Sequence, residues 1–175
     1  MKRYLGGRII VQRGDITQLA VDAIVNAANN TLSGGGGVDG AIHRGAGPLL
    51  ADACRALGGC RTGEAKITRG FRLPAKHVIH TVGPIWEDGR HGEDDLLARA
   101  YDNTLKVALE NGIRTIAFPC ISTGAYRFPA ERASEIAVGV VTSFIDTHDG
   151  IEQVIFCCFN EDDYELYIEA VEQFV

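Results

Sequence analysis

Strand-like and helix-like segments alternate along this chain, and this order constrains its fold more than any other feature. Alternation of the two patterns is typical of a layered α/β fold. Most of the strand-like segments are nearly continuous apolar runs, as expected for strands covered by helices on both faces. The predicted strands are Arg8–Gln12, Ala23–Asn26, Ala65–Phe71, His77–Val82, Thr115–Pro119 and Gln153–Phe159.

The helices are predicted from apolar spacing and from the residues at their ends. Apolar side chains recur at helical spacing over Glu93–Glu110, and a buried stripe predicts a helix over Pro129–His148. Asn160 is a suitable N-cap for a last helix. Between Gly40 and Leu57 we expect two short helices, broken at Gly45–Pro48.

Length indicates one domain over residues 1–175, and net charge argues against nucleic-acid binding. A chain of 175 residues can bury a sizeable core, whereas two domains would leave neither half a comfortable one. The net charge of −6 argues against an extended nucleic-acid surface, which draws its affinity from Lys and Arg. A small phosphate ligand is still possible, because backbone amides can bind it without a side-chain cation.

The cysteines favour a reduced environment. There are five of them and no CxxC pair, so mostly buried thiols are expected rather than disulfides or a metal centre. No signal peptide or membrane-spanning stretch is visible, and a cytoplasmic location is therefore expected.

A glycine-rich segment from Asn26 to His43 is the strongest functional signal. Four consecutive glycines, residues 34–37, expose backbone N–H groups that can closely surround a phosphate. Gly35, Gly37 and Gly40 match the dinucleotide pattern GxGxxG literally, but the glycines lie too far behind the preceding strand, and the next helix breaks early. A Walker A loop is also absent. A phosphate-binding loop of another type is the favoured interpretation.

Polar side chains flank the glycines, and each has a plain structural explanation beside a functional one. Asp39 is either the N-cap of a short helix or an acid that faces the ligand and orients water or binds a hydroxyl. His43, one helical turn later, is either a packing residue or one that orients the site. Asn26 and Asn29 are either turn residues or carboxamides suited to ribose hydroxyls.

A second donor-rich loop follows the strand that ends at Pro119. Ser122, Thr123 and Gly124 offer backbone and hydroxyl donors, and Tyr126 offers a flat apolar face, although a capped strand-to-helix turn would look similar. Ligands of open α/β sheets bind outside the carboxyl ends of strands, where both loops would lie. Two such loops fit a diphosphate better than a single phosphate. Asp15 could lie at the same rim and accept from a base amine, or simply be a turn or cap residue.

With these motifs the chain resembles a macrodomain of the MacroD type, most closely the bacterial single-domain members. The resemblance covers nearly the whole chain. It is carried by Gly-Asp-Ile-Thr at 14–17, Val-Asp-Ala-Ile-Val-Asn-Ala-Ala-Asn at 21–29, the glycine segment at 34–43, Thr-Gly-Glu-Ala-Lys-Ile-Thr at 62–68, Val-Ile-His-Thr-Val-Gly-Pro at 78–84 and Ile-Ser-Thr-Gly at 121–124.

The resemblance implies a three-layer α/β/α domain with a mixed central sheet of about six strands that binds ADP-ribose. It also implies hydrolysis of O-acetyl-ADP-ribose and of ADP-ribose esters on acidic protein side chains, without a cofactor. The Cys and His set of zinc-dependent relatives is not found in this sequence, so no metal is expected.

The resemblance further implies a role for each site residue. Asp39 orients or activates the attacking water with help from the substrate diphosphate, and His43 supports the loop. Asn26 and Asn29 line the distal ribose, which Tyr126 covers. Asp15 and the Ile16 backbone hold the adenine, and Phe159 stacks on it. The diphosphate is expected to be held by Gly35, Gly36, Gly37, Val38, Ser122, Thr123, Gly124 and Ala125.

Two other functions remain open from the sequence. One is a module that binds ADP-ribose without turning it over; the other, disfavoured by the acidic net charge, is binding of RNA or poly-ADP-ribose. Mono-ADP-ribosylated proteins are the expected partners, no membrane association is expected, and the chain is expected to be a monomer.

Overall fold

The centre of the molecule is a seven-stranded sheet, in a computed structural model that describes all residues, 1–175. Its order is β1-β2-β7-β6-β3-β5-β4, and only the edge strands β1 and β4 run antiparallel to their neighbours. The predicted mixed sheet is therefore confirmed. The strands are β1 (Lys2–Tyr4), β2 (Ile9–Arg13), β3 (Ala23–Ala27), β4 (Ala65–Arg69), β5 (His77–Thr81), β6 (Thr115–Phe118) and β7 (Gln153–Cys158).

Five α-helices accompany the sheet, four between strands and one after β7, and all five were predicted. Asn160 caps the last one, its side chain accepting from Asp163 N at 2.8 Å. The first helix begins three residues earlier than predicted, at Gly37, and breaks at Gly47 as expected. The helices are α1 (Gly37–Ala46), α2 (Pro48–Leu57), α3 (Glu93–Glu110), α4 (Ala130–Thr147) and α5 (Glu161–Phe174).

The strands bury both faces, which produces three layers. Alternate strand residues such as Val25 and Ile79 pack with α3, α4 and α5 in one apolar cluster. Their neighbours Ile24 and Val78 pack with α1 and α2 in a second cluster on the other face. Because side chains alternate along a strand, one continuous apolar run supplies both cores. The predicted α/β/α layering is confirmed.

The prediction of about six strands missed β1. This strand has only three residues, two of them exposed Lys2 and Arg3, so it carries no apolar run. It is held instead by antiparallel pairing with β2, with Arg3 opposite Ile10. A short, charged edge strand is a common way to protect a sheet from further pairing.

All five cysteines are free thiols, and four of them are buried, as predicted. No helix has the length and apolar character that crossing a membrane requires.

The parallel core of the sheet collects the predicted site residues at one edge. Strands β2, β7, β6, β3 and β5 run in the same direction, so their carboxyl ends meet there. The loops after β3 and β6, which contain the two donor-rich segments, leave adjacent strands.

Candidate functional site

The sheet order arranges the predicted residues in a row along this edge. Asp15 follows β2, Phe159 follows β7, the Ser122 loop follows β6, and Asn26 lies near the end of β3 before the glycine loop, next to the final strand residue Ala27. The structure therefore brings the two predicted phosphate loops side by side, after the adjacent strands β6 and β3.

At one end of the row, Asp15 and Phe159 follow the adjacent strands β2 and β7. Gly14 N donates to Cys158 O at 3.0 Å, which places the residues after β2 and β7 side by side. Asp15 caps the 3-10 turn Ile16–Gln18, its Oδ1 accepting from Thr17 N at 2.9 Å and from Thr17 Oγ1 at 2.6 Å. The Phe159 side chain is 87% exposed. The plain explanation of Asp15 as a cap is thus confirmed, and its adenine contact stays a prediction.

The glycine loop is open towards solvent above its backbone. A Cβ placed on Gly36 or Gly37 would meet no atom within 4 Å, so this stretch presents backbone alone to a ligand. Gly36 is the N-cap of α1 and no side chain caps this helix end. The first N–H groups of α1, at Gly37 and Val38, therefore remain free for an anion.

Asn29 holds the glycine loop in shape. Its Nδ2 donates to Gly34 O at 2.9 Å, while its Oδ1 accepts from Ser33 N at 3.2 Å and from the Thr31 hydroxyl at 3.1 Å. The Nδ2 atom also lies 3.9 Å from the position of a Cβ on Gly35. Most of the Asn29 amide is engaged within the loop, and its direct contact with a ribose stays a prediction.

Asp39 is a buried carboxylate held by two partners. Asn26 Nδ2 donates to Asp39 Oδ1 at 2.9 Å, and His43 Nε2 lies 3.4 Å from the same oxygen. Asp39 is the third residue of α1 and makes no cap, so the N-cap explanation is wrong. A Cβ on Gly35 would lie 3.4 Å from Oδ2, so this second oxygen faces the glycine loop.

The second loop shows backbone strain and an unpaired hydroxyl. Ser122 has a φ of +68°, and its buried Oγ has no hydrogen-bond partner in the protein. The loop is anchored at both ends, by Phe128 N donating to Ser122 O at 2.9 Å and by Trp86 N donating to Tyr126 O at 2.8 Å. Between these anchors Thr123 and Tyr126 are half-buried, whereas Gly124 and Ala125 are exposed. Strain of this kind is common in ligand-binding loops.

Sequence reasoning missed two residues of β5 and its following turn. His80 lies in direct register with Asn26, is fully buried, and its Nδ1 is 3.1 Å from Asn26 Nδ2. Burial lowers the pKa of His80 to about 4, and His43 nearby adds to this effect. Gly83 packs so closely against the second loop that a Cβ would lie 2.0 Å from Ser122 Oγ. Both residues stood in the motif at 78–84, and the period-2 face shared by His80 and Asn26 was the available signal.

Two surface grooves, of about 580 and 610 Å³, lie elsewhere and contain no predicted site residue. One runs between α3 and α4 past Phe144 and His148, and the other is lined by polar residues such as Arg61 and Lys106. Concavity alone does not identify a site. The convergence of a buried carboxylate, two carboxamides and two donor-rich loops favours the edge of the sheet.

Known proteins are similar to this chain in sequence and in fold. A family model described as Macro domain matches residues 25–137. A macro domain-containing protein of Chlorobaculum tepidum is 62% identical over 159 residues, which cover 91% of this chain and 92% of that protein. The O-acetyl-ADP-ribose deacetylase of Escherichia fergusonii is 58% identical over 170 residues, which cover 95% of this chain and 96% of that protein.

A solved structure gives the same result. The Trypanosoma brucei macrodomain in complex with ADP-ribose has a TM-score of 0.89 and 47% identity, covering 94% of this chain and 69% of that one. The resemblance inferred from the motifs is confirmed at the level of sequence and fold. This chain belongs to the macrodomain family.

Proposed function

We propose that this protein hydrolyses esters of ADP-ribose. Its substrates would be O-acetyl-ADP-ribose and mono-ADP-ribose attached to acidic protein side chains, with residues 1–175 acting as one unit. In each case the oxygen of a water attacks the acyl carbon, the bond from that carbon to the ribose oxygen breaks, and the products are a carboxylate and ADP-ribose. The observation that carries the proposal is the buried Asp39 carboxylate beside the glycine loop.

The row of residues along the sheet edge offers candidate groups for each part of ADP-ribose. Asp15 and Phe159 would bind adenine, and Asn26 and Asn29 would face the distal ribose with Tyr126 above it. The two loops between them would hold the diphosphate through backbone N–H groups of Gly35–Val38 and of Ser122–Ala125. The ADP-ribose complex of the Trypanosoma brucei macrodomain supports this class of ligand.

The geometry around Asp39 suits a group that positions water. Oδ1 is fixed by Asn26 and His43, which leaves Oδ2 on the side of the glycine loop, where it can accept a hydrogen from a water. Such an arrangement loses little entropy when the reaction starts, because the acceptor is already oriented. The N-terminus of α1 and the loop amides would stabilise negative charge on the diphosphate in the same place.

The substrate class is tested with a panel of three compounds: O-acetyl-ADP-ribose, a protein carrying ADP-ribosyl-glutamate and a protein carrying ADP-ribosyl-serine. We expect release of ADP-ribose from the two esters and none from the serine-linked protein, because a serine linkage offers no acyl carbon to the water. Asp39→Ala is expected to lower the rate on both esters about 10²–10⁴-fold. Asp52→Ala, an exposed carboxylate on the neighbouring α2, is the matched control and should leave the rates unchanged.

Three results would contradict the proposal. Unchanged rates of ester hydrolysis in Asp39→Ala would show that Asp39 does not position the attacking water. Tight binding of ADP-ribose without product from either ester would identify the protein as a binding module. Binding of RNA with a steep salt dependence, and no ester turnover, would point to a polynucleotide ligand.

A further inference from the structure

We propose that His80 is a positioning residue that sets the amide orientation of Asn26 and thereby the position of the Asp39 carboxylate. This inference rests on the proposed function, since it assigns to His80 a role in orienting residues of the same site. It concerns a residue of β5 that lies beside the site and is fully buried.

The sheet places His80 and Asn26 side by side. They are register partners on the parallel strands β3 and β5, and both side chains are fully buried. Asn26 Nδ2 lies 3.1 Å from His80 Nδ1 and 2.9 Å from Asp39 Oδ1. The amide nitrogen of Asn26 therefore has one neighbour for each of its two hydrogens.

The positions of the hydrogens on Asn26, His80 and Thr68 follow from one another. An ionised carboxylate only accepts, so the Asn26 NH₂ group and not its oxygen must face Asp39. The second hydrogen of this group points at His80 Nδ1, which must then carry a lone pair. The proton of His80 is consequently on Nε2, which lies 2.9 Å from Thr68 Oγ1. Thr68 Oγ1 in turn donates to Arg69 O at 3.1 Å, which completes the chain.

The other neutral tautomer of His80 would disrupt this series of hydrogen bonds. A hydrogen on Nδ1 would face the Asn26 NH₂ group, and the amide would have to turn its oxygen towards His80 and away from the ligand. Burial keeps the ring neutral by lowering its pKa to about 4. The other titratable groups around the ring are Asp39, His43 and Cys54, whose Sγ lies 3.8 Å from Nε2 and whose pKa burial raises to about 11.

The orientation matters because it leaves one acceptor free. Asn26 Oδ1 is buried and has no hydrogen-bond partner in the protein. An unpaired buried oxygen costs free energy unless a ligand group satisfies it. A ribose hydroxyl that donates to Oδ1 would do so, and His80 together with Asp39 ensures that this atom is an oxygen and not an NH₂ group.

The turnover test compares two substitutions of His80 that differ in one property. His80→Leu removes the acceptor, whereas His80→Asn keeps an oxygen at about the position of Nδ1. We expect His80→Leu to lower kcat for O-acetyl-ADP-ribose about 10- to 100-fold, since the Asn26 amide loses its fixed partner. His80→Asn should recover kcat to within about threefold. Val78→Ala, a buried change on the same face of β5, should lower the thermal midpoint and leave kcat unchanged.

A second measurement reads the proton directly and does not depend on turnover. A long-range ¹H–¹⁵N spectrum of the unliganded protein at pH 7 should show His80 neutral with its hydrogen on Nε2. A hydrogen on Nδ1, a charged ring, or equal kcat values for His80→Leu and the wild type would overturn the inference. Failure of the wild type to cleave any ester would overturn the proposed function instead, so the two failures are distinguishable.

Discussion

Gly83→Ala should damage both the stability of this protein and its affinity for ADP-ribose. A Cβ at this position would lie 2.0 Å from Ser122 Oγ and 2.7 Å from Ile121 Cγ2, well inside van der Waals contact. The neighbouring loop cannot yield easily, because Ser122 already has a φ of +68° and Phe128 N holds its carbonyl. Overpacking of this kind costs about 1–3 kcal/mol of unfolding free energy.

The effect on binding follows from the position of the loop. Residues 122–125 are the proposed diphosphate cradle, and a shift of about 1 Å in such a cradle can cost on the order of 10²-fold in function. We therefore expect ADP-ribose to bind Gly83→Ala at least about tenfold more weakly than the wild type. Urea unfolding followed by fluorescence of Trp86, the single tryptophan, gives the stability, and calorimetry gives the affinity.

Two further variants separate the clash from other effects. Gly124→Ala makes the same chemical change in the loop itself, but its Cβ would meet no atom within 4 Å, so the unfolding free energy should stay within about 0.5 kcal/mol of the wild type. Adding Ser122→Gly to Gly83→Ala removes the nearest clashing atom and the strained φ, and should recover much of the lost stability. A Gly83→Ala variant as stable and as tightly binding as the wild type would refute the reasoning.

Three more predictions concern separate parts of the chain. Phe159→Ala should weaken ADP-ribose binding by about 1–3 kcal/mol through lost stacking and leave stability unchanged, as measured by calorimetry and urea unfolding. Leu49→Ala, which truncates another exposed apolar residue, on α2, should change neither quantity. Asn160→Ala should lower the unfolding free energy by about 1 kcal/mol, since α5 loses its cap. Burial opposes ionisation of Glu93, but backbone N–H donors including those of Gly89 and His91 outweigh it and lower its pKa to about 2. The folded pKa of Glu93 lies below the unfolded one, so this stabilisation is complete above about pH 4.5 and is lost as the pH falls towards 2. Between about pH 5 and 3 the unfolding free energy should therefore fall more steeply in the wild type than in Glu93→Gln.

Each of these has an outcome that would count against it. For Phe159, unchanged affinity would show that its exposed ring is not part of the ligand site. For Asn160, a loss below about 0.3 kcal/mol would mean that α5 is held by packing alone. For Glu93, parallel pH curves for wild type and Glu93→Gln would show that the backbone donors do not favour its ionised form; Glu135→Gln, an exposed change on α4, should follow the wild type.

Much of the fold could be predicted because periodicity and caps act locally. The boundaries of α3 were predicted to the residue, and each predicted strand matches an observed one with ends shifted by no more than two residues. The short strand β1 could not be found this way. Its three residues have no apolar signal, and pairing with β2, a tertiary effect, decides their conformation.

The candidate site could be predicted where its functional residues lie close together in the sequence. The glycine loop, Asp39 and the Ser122 loop each stand out in the sequence. His80 did not, because its contact with Asn26 depends on which strand lies beside β3 and in what register. The cap explanation of Asp39 was wrong for a similar reason: α1 starts three residues earlier than expected, which moves Asp39 from the helix end into its first turn.

The most direct test of the proposed function is the rate of acetate release from O-acetyl-ADP-ribose by the wild type and Asp39→Asn, measured together with the affinity of both for ADP-ribose. We predict that the wild type releases acetate and that Asp39→Asn binds ADP-ribose within about tenfold of the wild type but releases acetate about 10²–10⁴-fold more slowly. Equal rates in the two proteins, or tight binding by a wild type that releases no acetate, would contradict the role of Asp39 in a hydrolytic site.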